Sequence, residues 1–437
     1  MSGMKIKLDK SLDFVRELLK GKSFTNWDNK NPDLIITESI PKDDMYFVVV
    51  WDRHDVKEIE NLCKERYRYL RGLFLKEEIK KDPNPFINTL NDINHELNFI
   101  KELKISAQAI KSSQEFIEIG SLVKIGDKES KELENLFSRP RFTSLFIDKP
   151  TLQMMKRLSR ILDEIQSSIG KLNNDYRGEI ENIQKNRGFD KKGDEFDLSL
   201  IKNLFDHKDN KPVLIEPILL TGDTGVGKTL IAKWIHEQAG LKGSYQAVNS
   251  SGFSSQLLEI ELFGYVKGAF TDAKTDKPGK ALLALGGTLF LDEIGDMPLE
   301  LQPRIMKFIE EKEFTPVGWS HIDPFYTPLL VVAATNKNLE TEVKEGRFRK
   351  DLYARFRHRI HVPSIEDRMA SLDSIVDFIL QIGNKHIKYI SKGAMEKLKS
   401  VKYDENWRGL ERIVRGAAYK TREYGLDIIL PEVIEDR

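Results

Sequence analysis

The sequence predicts an α/β protein in which a parallel sheet is flanked by helices and followed by a helical lid. Between Pro212 and Pro363, short apolar runs alternate with segments of helical spacing, a pattern typical of parallel sheets. After Pro363 the spacing is helical to about Tyr424, which predicts an all-helical lid. The strand-like runs are 218–220, 288–291 and 329–334, and the helical segments are 230–239 and 299–311.

Residues 1–140 predict a separate unit, either α/β or mostly helical, which we interpret as a regulatory or sensor domain of unknown type. A run of aromatic and β-branched side chains at 46–51 predicts a buried strand. Apolar residues recur at three- and four-residue steps in 56–81 and in 86–111, which predicts two amphipathic helices. No strand-end acidic cluster with a later Thr and Lys is apparent, so a phospho-receiver is not predicted.

Composition excludes several classes of protein. Lys plus Arg total 69 and Asp plus Glu total 69, so a strongly basic nucleic-acid coat or an acidic tail is not expected. The longest apolar runs are far shorter than the roughly 20 residues that cross a bilayer, and no signal peptide is evident. A single cysteine, Cys63, excludes an internal disulfide and a multi-cysteine zinc site. We therefore expect a cytoplasmic protein without membrane contacts.

A phosphate-binding loop is the most specific motif in the chain. Residues 222–229 match G-x-x-x-x-G-K-[ST] in full, between a strand-like run and a helical segment. Its glycines let backbone N–H groups turn inward around a polyphosphate, and the helix N-terminus adds positive charge. Lys228 is expected to reach the β- and γ-phosphates of ATP, and Thr229 to offer its hydroxyl to Mg²⁺. The predicted nucleotide-binding residues are Gly222, Asp223, Thr224, Gly225, Val226, Gly227, Lys228 and Thr229.

Two further strand-like runs end in polar side chains. Asp292 and Glu293 follow an apolar run, which predicts that Asp292 lies near Mg²⁺ and that Glu293 activates the attacking water. Asn336 follows the next run and can hold the water or the γ-phosphate by hydrogen bonds. Alone, an acidic strand end is usually only solvated, and Asn often caps a helix. The phosphate-binding loop earlier in the chain favours the catalytic interpretation.

The chain resembles the AAA+ ATPase domain of sigma-54-dependent transcription activators, also called bacterial enhancer-binding proteins. The similarity covers about 212–415 and implies an AAA+ P-loop core over 212–362 with a helical lid over 363–437. A weaker similarity at 146–155 implies that 141–165 begin the domain, so the hydrophilic stretch 166–211 interrupts it as an insertion or linker. The segments that share the family's order and spacing are 248–249, 257–264, 267–273, 286–295, 301–302, 313–318, 346–355 and 406–410.

The resemblance also implies roles for single residues. Asn249 corresponds to the residue that restrains the catalytic Glu293 until nucleotide is sensed, and Asn336 to the sensor of the γ-phosphate. Arg408, in the lid, corresponds to the arginine that reports the nucleotide state. Taken singly, such an arginine is more often a surface salt-bridge residue, and only its spacing favours the functional interpretation.

Arg349 and Arg355 correspond to arginines that one subunit donates to its neighbour's catalytic site. An arginine finger stabilises charge on the transferring phosphoryl group. Donation between subunits requires a closed ring, which in this family is usually a hexamer. The resemblance therefore implies a ring of identical chains.

The loop 268–273 corresponds to the family's Gly-Ala-Phe-Thr-Gly-Ala loop, which contacts the sigma factor. Phe270 and Thr271 are the implied contact residues. Asp272 replaces the second glycine, which adds a charge and removes backbone freedom. The sequence shows no helix-turn-helix after Arg408, so no sequence-specific DNA-binding module is expected.

Three functions remain open from the sequence. The first is a transcription activator whose ATP hydrolysis moves the 268–273 loop to remodel sigma-54 RNA polymerase. The second is an AAA+ remodelling ATPase with a different client, in a stress or defence system. The third is a nucleotide-gated scaffold that hydrolyses ATP slowly, which the intact Lys228, Asp292 and Glu293 argue against.

Overall fold

The computed structural model describes residues 4–22, 25–28, 30–38, 41, 46–51, 70–123, 148–185, 213–252, 254–320, 324–382 and 386–435. The chain divides into two compact units. The N-terminal unit consists of Met1–Ile119, Asn384–Leu398 and Gly416–Arg437, and the P-loop unit of Gly120–Gly383 and Lys399–Arg415. No helix within the described ranges is long and apolar enough to cross a membrane.

The first part of the N-terminal unit is built on a parallel sheet. Among the described residues its strand order is β2-β1-β3-β4-β5, and every neighbouring pair is parallel. This is the flavodoxin-like order, in which ligands bind beyond the carboxyl ends where the order reverses. The elements are β1 Met4–Leu8, α1 Asp13–Leu18, β2 Thr25–Trp27, β3 Leu34–Thr37, β4 Phe47–Trp51, β5 Leu70–Leu75, α2 Lys76–Lys81 and α3 Asn84–Ser113.

Two of the three elements predicted in this region are confirmed. The strand expected at 46–51 is β4, and the helix expected at 86–111 is α3. The helix expected at 56–81 is confirmed for 76–81, which form α2, and is wrong for 70–75, which form β5, while 52–69 lie outside the described residues. Sheet pairing overrides the helical spacing here, because the leucines of β5 pack against one face of the sheet and Phe74 packs against the other.

Polar side chains meet at the carboxyl edge of this sheet. The Thr37 hydroxyl donates to Asp9 Oδ2 at 3.4 Å, and Glu38 forms an ion pair with Lys76. A group of this kind was not apparent in the sequence because its members follow three different strands. Domains of many functions share this strand order, so it does not test the expectation that the unit is not a phospho-receiver.

The P-loop unit contains a second parallel sheet, which carries the nucleotide motifs. Within the described residues its order is β15-β7-β14-β11-β8, and all its pairs are parallel. The three strands predicted from the apolar runs are β7, β11 and β14. Most of their side chains are buried, as expected for a sheet covered on both faces. The strands are β7 Ile218–Thr221, β8 Tyr245–Asn249, β11 Thr288–Asp292, β14 Leu330–Thr335 and β15 His358–His361.

Helices and two short hairpins accompany that sheet in the part of the unit that the structure describes. The helices predicted at 230–239 and 299–311 are α6 and α9. The helices are α4 Lys149–Asp175, α5 Arg177–Lys185, α6 Lys228–Gln238, α7 Ser255–Phe263, α8 Lys280–Leu283, α9 Gln302–Glu311, α10 Leu339–Lys344, α11 Lys350–Arg355 and α12 Leu372–Gln381. The hairpins pair β9 Gly264–Tyr265 with β10 Lys277–Pro278, and β12 Glu313–Phe314 with β13 Phe325–Tyr326.

The insertion expected at 166–211 does not begin where it was predicted. Residues 166–175 belong to α4 and 177–185 to α5. The side chains of Ile169 and Leu172 in α4, and of Tyr176 between the two helices, are buried in the core of the P-loop unit. The polar residues that suggested a linker lie on the outer faces of these helices. The remainder, 186–211, lies outside the described residues.

The lid differs from the all-helical prediction. Besides α13 Lys392–Ser400 and α14 Asn406–Glu423, it contains β16 Tyr389–Ser391 and β17 Ile428–Ile429. These strands pair with β6 Phe116–Glu118 in the order β17-β16-β6. The strands were missed because each has only two or three residues and depends on pairing with distant chain.

A buried ion pair connects the start of α4 to the segment before α12. Arg368 Nε lies 2.6 Å from Asp148 Oδ2, and both side chains are almost fully buried. Asp148 also caps α4, because its Oδ1 accepts from the Thr151 N–H at 2.9 Å. The guanidinium of Arg368 lies 4.6 Å from the ring centroid of Trp407. Removing one partner would leave a buried charge without its counter-ion.

We expect Asp148→Ala to lower the free energy of unfolding by about 3–5 kcal/mol, because a buried arginine loses its carboxylate. Urea denaturation of the full chain, followed by circular dichroism, measures the change. Asp163→Ala is the matched control, since Asp163 is exposed on the same helix. A loss no larger than that of the control would contradict a structural role for the pair.

Candidate nucleotide site

The phosphate-binding loop depends on glycines with left-handed backbone. Gly222, Gly225 and Gly227 have φ values of 146°, 82° and 103°. A Cβ on Gly222 would lie 2.7 Å from the Val362 carbonyl oxygen, and one on Gly225 would lie 2.1 Å from the Glu405 carbonyl oxygen. Glycine is therefore required at both positions by conformation and by close backbone approach.

Lys228 begins α6 and points back into this loop. Its Nζ donates to the carbonyl oxygens of Gly222 and Asp223 at 2.8 and 3.0 Å. Burial lowers the pKa of Lys228, while the charges of Glu293 and Asp292 act in the opposite direction. The ammonium group is thus held at the centre of the loop, where phosphate oxygens are strong competing acceptors.

Asp292 and Glu293 end strand β11 beside the loop. The Thr229 hydroxyl lies 3.4 Å from Asp292 Oδ2, and Lys228 Nζ lies 4.0 Å from Glu293 Oε1. Burial raises the pKa of Asp292, and the charge of Lys228 opposes that shift. Glu293 has a left-handed φ of 51°, which non-glycine residues rarely adopt. Such backbone outliers cluster at functional sites.

Asn336 follows strand β14 and connects the acidic pair to the loop. Its backbone N–H donates to Glu293 Oε2 at 3.2 Å, and its Nδ2 donates to Thr224 Oγ1 at 3.0 Å. Because β7, β14 and β11 are neighbours in a parallel sheet, their carboxyl ends meet at one edge. The structure brings the predicted residues of these three strand ends together.

Asn249 ends β8, opposite Asp292 in the strand register. Its side chain contacts Ser251, whose N–H and hydroxyl both donate to Asn249 Oδ1, at 2.8 and 2.7 Å. The Glu293 carboxylate accepts a hydrogen bond from the Asn336 N–H. The restraint of Glu293 by Asn249 therefore remains a prediction.

Asn406, to which the sequence assigned no role, joins the lid to the phosphate-binding loop. Its Nδ2 donates to the Thr224 carbonyl oxygen at 3.3 Å, and its Oδ1 accepts from the Ile365 N–H at 3.1 Å. Its left-handed φ of 50° suits Asn better than most residues. The available signal was an Asn directly before the Trp-Arg-Gly segment at the start of α14.

Arg408 lies on the first turn of α14, next to the same loop. A Cβ on Gly225 would lie 3.6 Å from the Arg408 Cβ. The Arg408 charge also acts to lower the pKa of Asp292, against the larger effect of burial. The lid arginine is therefore electrostatically coupled to the acidic strand end.

Arg349 and Arg355 flank α11 and have other partners. Arg349 pairs with Asp351, with 2.7 Å between Nη2 and Oδ2, and Arg355 forms an ion pair with Glu310. Both arginine side chains are about half exposed, at 41% and 50%. Among the residues that the structure describes, the ion pairs of both arginines are with these carboxylates. Donation of either arginine to a neighbouring subunit remains a prediction.

The 268–273 loop is the tip of the β9–β10 hairpin. Phe270 is 36% exposed, and its ring meets Tyr265 edge-on at 4.8 Å. Thr271 and Asp272 are exposed. The Gly268 N–H donates to the Ala273 carbonyl oxygen at 2.9 Å, which closes the tip. The structure thus presents a hydroxyl, a carboxylate and part of an aromatic ring to solvent.

The comparisons with known proteins identify the domain. Residues 199–362 match the model of the sigma-54 interaction domain. This part of the chain is an AAA+ sigma-54 activator ATPase domain. The match adds family evidence to the geometry of the phosphate-binding loop and strand ends.

Curated relatives align with the same part of the chain. The transcriptional regulator NtrC of Rhizobium meliloti is 37% identical over 224 residues, which are 50% of this chain and 45% of NtrC. The regulatory protein LuxO of Vibrio cholerae is 38% identical over 212 residues, 47% of this chain and 39% of LuxO. The alignments therefore span less than half the length of these relatives.

Among solved structures, NtrX of Brucella abortus in complex with ATP is similar to the chain. It has a TM-score of 0.47 and 20% sequence identity, covering 100% of this chain and 87% of NtrX.

We expect Gly225→Ala to raise the Kd for ATP at least tenfold, which is a loss of about 1.4 kcal/mol of binding free energy. The reason is that the Cβ of the new alanine would collide with the Glu405 carbonyl oxygen. Titration with a fluorescent ATP analogue measures the change, with Lys228→Ala as the reference for lost binding. Gly240→Ala is the matched control, because Gly240 has a φ of 69° and nothing within 4 Å. Equal affinities of the Gly225 and Gly240 variants would contradict the close-approach argument.

Proposed function

We propose that the chain is a ring-forming motor that couples Mg-ATP hydrolysis to movement of the 268–273 loop. The observation that carries the proposal is the convergence of Lys228, Asp292, Glu293 and Asn336 at one sheet edge, within the contacts given above. The sigma-54 interaction domain supports a client in the transcription machinery, sigma-54 RNA polymerase.

The proposed chemistry is transfer of the γ-phosphoryl group of ATP to water. Lys228 and the N–H groups of the loop bind the phosphates, and Glu293 accepts the proton of the attacking water. Asn336 orients that water or the γ-phosphate. The hydroxyl of Thr229 and the carboxylate of Asp292 are hard oxygen ligands that fit Mg²⁺. When bound, Mg²⁺ neutralises charge on the phosphate oxygens.

Arg349 and Arg355 complete the proposed site from the neighbouring subunit. Each arginine already has a carboxylate partner, Asp351 or Glu310, so donation exchanges that ion pair for contact with a phosphate. Both pairs are partly solvent-exposed, and such pairs are weak enough to exchange. This arrangement requires a closed ring, which we propose to be a hexamer.

We propose that ATP binding and hydrolysis move the hairpin that bears Phe270 and Thr271 between two positions. A ligand shifts a conformational equilibrium only through different affinity for the two states, and the γ-phosphate supplies that difference at Asn336 and Glu293.

Asp272 favours a second candidate, an AAA+ remodeller with another client. Its exposed carboxylate changes the surface that the family presents to sigma factor.

Mixing two inactive variants tests the shared site. In a ring made of either variant alone, every site lacks Arg355 or Glu293. In a mixed ring, a site is intact where an Arg355→Ala subunit supplies Glu293 and a neighbouring Glu293→Gln subunit supplies Arg355. We expect an equimolar mixture to regain up to about a quarter of wild-type turnover, since random assembly restores that share of sites. Phosphate release measures turnover, and each variant alone is the control. No recovery, or normal turnover by dilute Arg355→Ala monomer, would contradict donation between subunits.

A pull-down with sigma-54 and a transition-state mimic of ATP tests the client. We expect capture by wild type, loss on Thr271→Ala and stronger capture by Asp272→Gly, since the glycine removes a charge from the contact surface. Lys274→Ala is the control at an exposed position of the same hairpin. Robust ATP hydrolysis without any capture would reject sigma-54 and favour the second candidate.

A further inference from the structure

Helix α3 of the N-terminal unit is a single stiff element. It contains thirty residues, about 45 Å at 1.5 Å per residue, and no Gly or Pro occurs in 86–113. One buried stripe runs along it. Phe86, Leu90, Ile93 and Leu97 belong to the core around the N-terminal sheet, and Ile100, Leu103 and Ala107 continue the stripe.

The second half of α3 contacts residues of the lid that belong to the same compact unit. The ring of Phe99 meets Tyr424 edge-on, with centroids 6.0 Å apart. Lys111 forms an ion pair with Asp427, and its Nζ lies 5.2 Å from the ring centroid of Tyr389. The helix that packs on the N-terminal sheet therefore also binds the lid.

The strand after α3 is part of the lid sheet. The chain turns at Gln114, whose left-handed φ of 57° ends the helix, and β6 then pairs antiparallel with β16. The Ile119 N–H donates to the Lys388 carbonyl oxygen at 2.8 Å, and Phe116 meets Tyr389 with centroids 4.7 Å apart. A lid strand is thus supplied by the N-terminal region.

Helix α14 has one end in each compact unit. Its first turn carries Asn406 and Arg408, which lie at the phosphate-binding loop within the P-loop unit. The unit boundary falls after Arg415, and the helix continues to Glu423, directly before the Tyr424 that contacts α3.

We propose that residues 99–118 are the surface through which the N-terminal domain acts on the lid. This inference rests on the proposed nucleotide site. A signal at the N-terminal sheet would bias the lid through α3 and β6, and the lid would change the position of Asn406 and Arg408 at the nucleotide. Coupling of this kind is reciprocal, so ATP must also change the stability of the 99–118 segment.

Hydrogen–deuterium exchange of the full chain tests the proposal, with and without ATP. We expect ATP to slow exchange of the phosphate-binding loop and to change the rate at 114–119 by about fivefold or more, the lower end of typical coupling. Lys111→Glu should abolish the change at 114–119, and Lys111→Glu with Asp427→Lys should restore it. Lys104→Glu, at an exposed position of the same helix, is the control and should behave as wild type.

The outcomes separate this inference from the proposed function. If ATP protects the phosphate-binding loop but exchange at 114–119 stays constant, the inference is wrong and the nucleotide site stands. Retention of the change in Lys111→Glu would also overturn it. If ATP leaves the phosphate-binding loop itself unchanged, the proposed function fails, and the inference fails with it.

Discussion

The buried ammonium group of Lys228, held against two carboxylates, is the interaction on which the site depends. Its Nζ bonds the loop carbonyls of Gly222 and Asp223 and lies 4.0 Å from Glu293. Burial opposes its charge, and the two carboxylates stabilise it. A polyphosphate entering this loop would meet a cation already desolvated and aimed at it. Such preorganisation is how phosphoryl-transfer sites stabilise charge.

The parallel sheet places every other part of the site relative to that lysine. Because strands β7, β14 and β11 run side by side, the loop, Asn336 and the acidic pair emerge at one edge. Asn336 contacts both Glu293 and Thr224, so it fixes the position of Glu293 relative to the loop. Asn406 adds the lid to the same loop. The nucleotide site is therefore connected to the elements that would respond to hydrolysis.

The sequence predicted the elements that are determined by residues close together in the chain. The phosphate-binding loop, the strand before Asp292 and the long helix α3 follow from glycine spacing, apolar runs and helical periodicity. Strand β5 and the β17-β16-β6 sheet could not be predicted, because short strands are defined by distant partners. Asn406 was missed for the same reason, since its role depends on a contact with Thr224 far away in the chain. The arginine roles rest on spacing and require a neighbouring subunit.

The most direct measurement is the fate of bound ATP in Glu293→Gln. If Glu293 is the base that activates water, this variant should bind ATP as wild type does and retain it unhydrolysed after gel filtration. Thin-layer analysis of the bound radiolabelled nucleotide distinguishes ATP from ADP. The account predicts ATP in the variant and ADP in wild type. Cleavage of ATP by Glu293→Gln at the wild-type rate would contradict it.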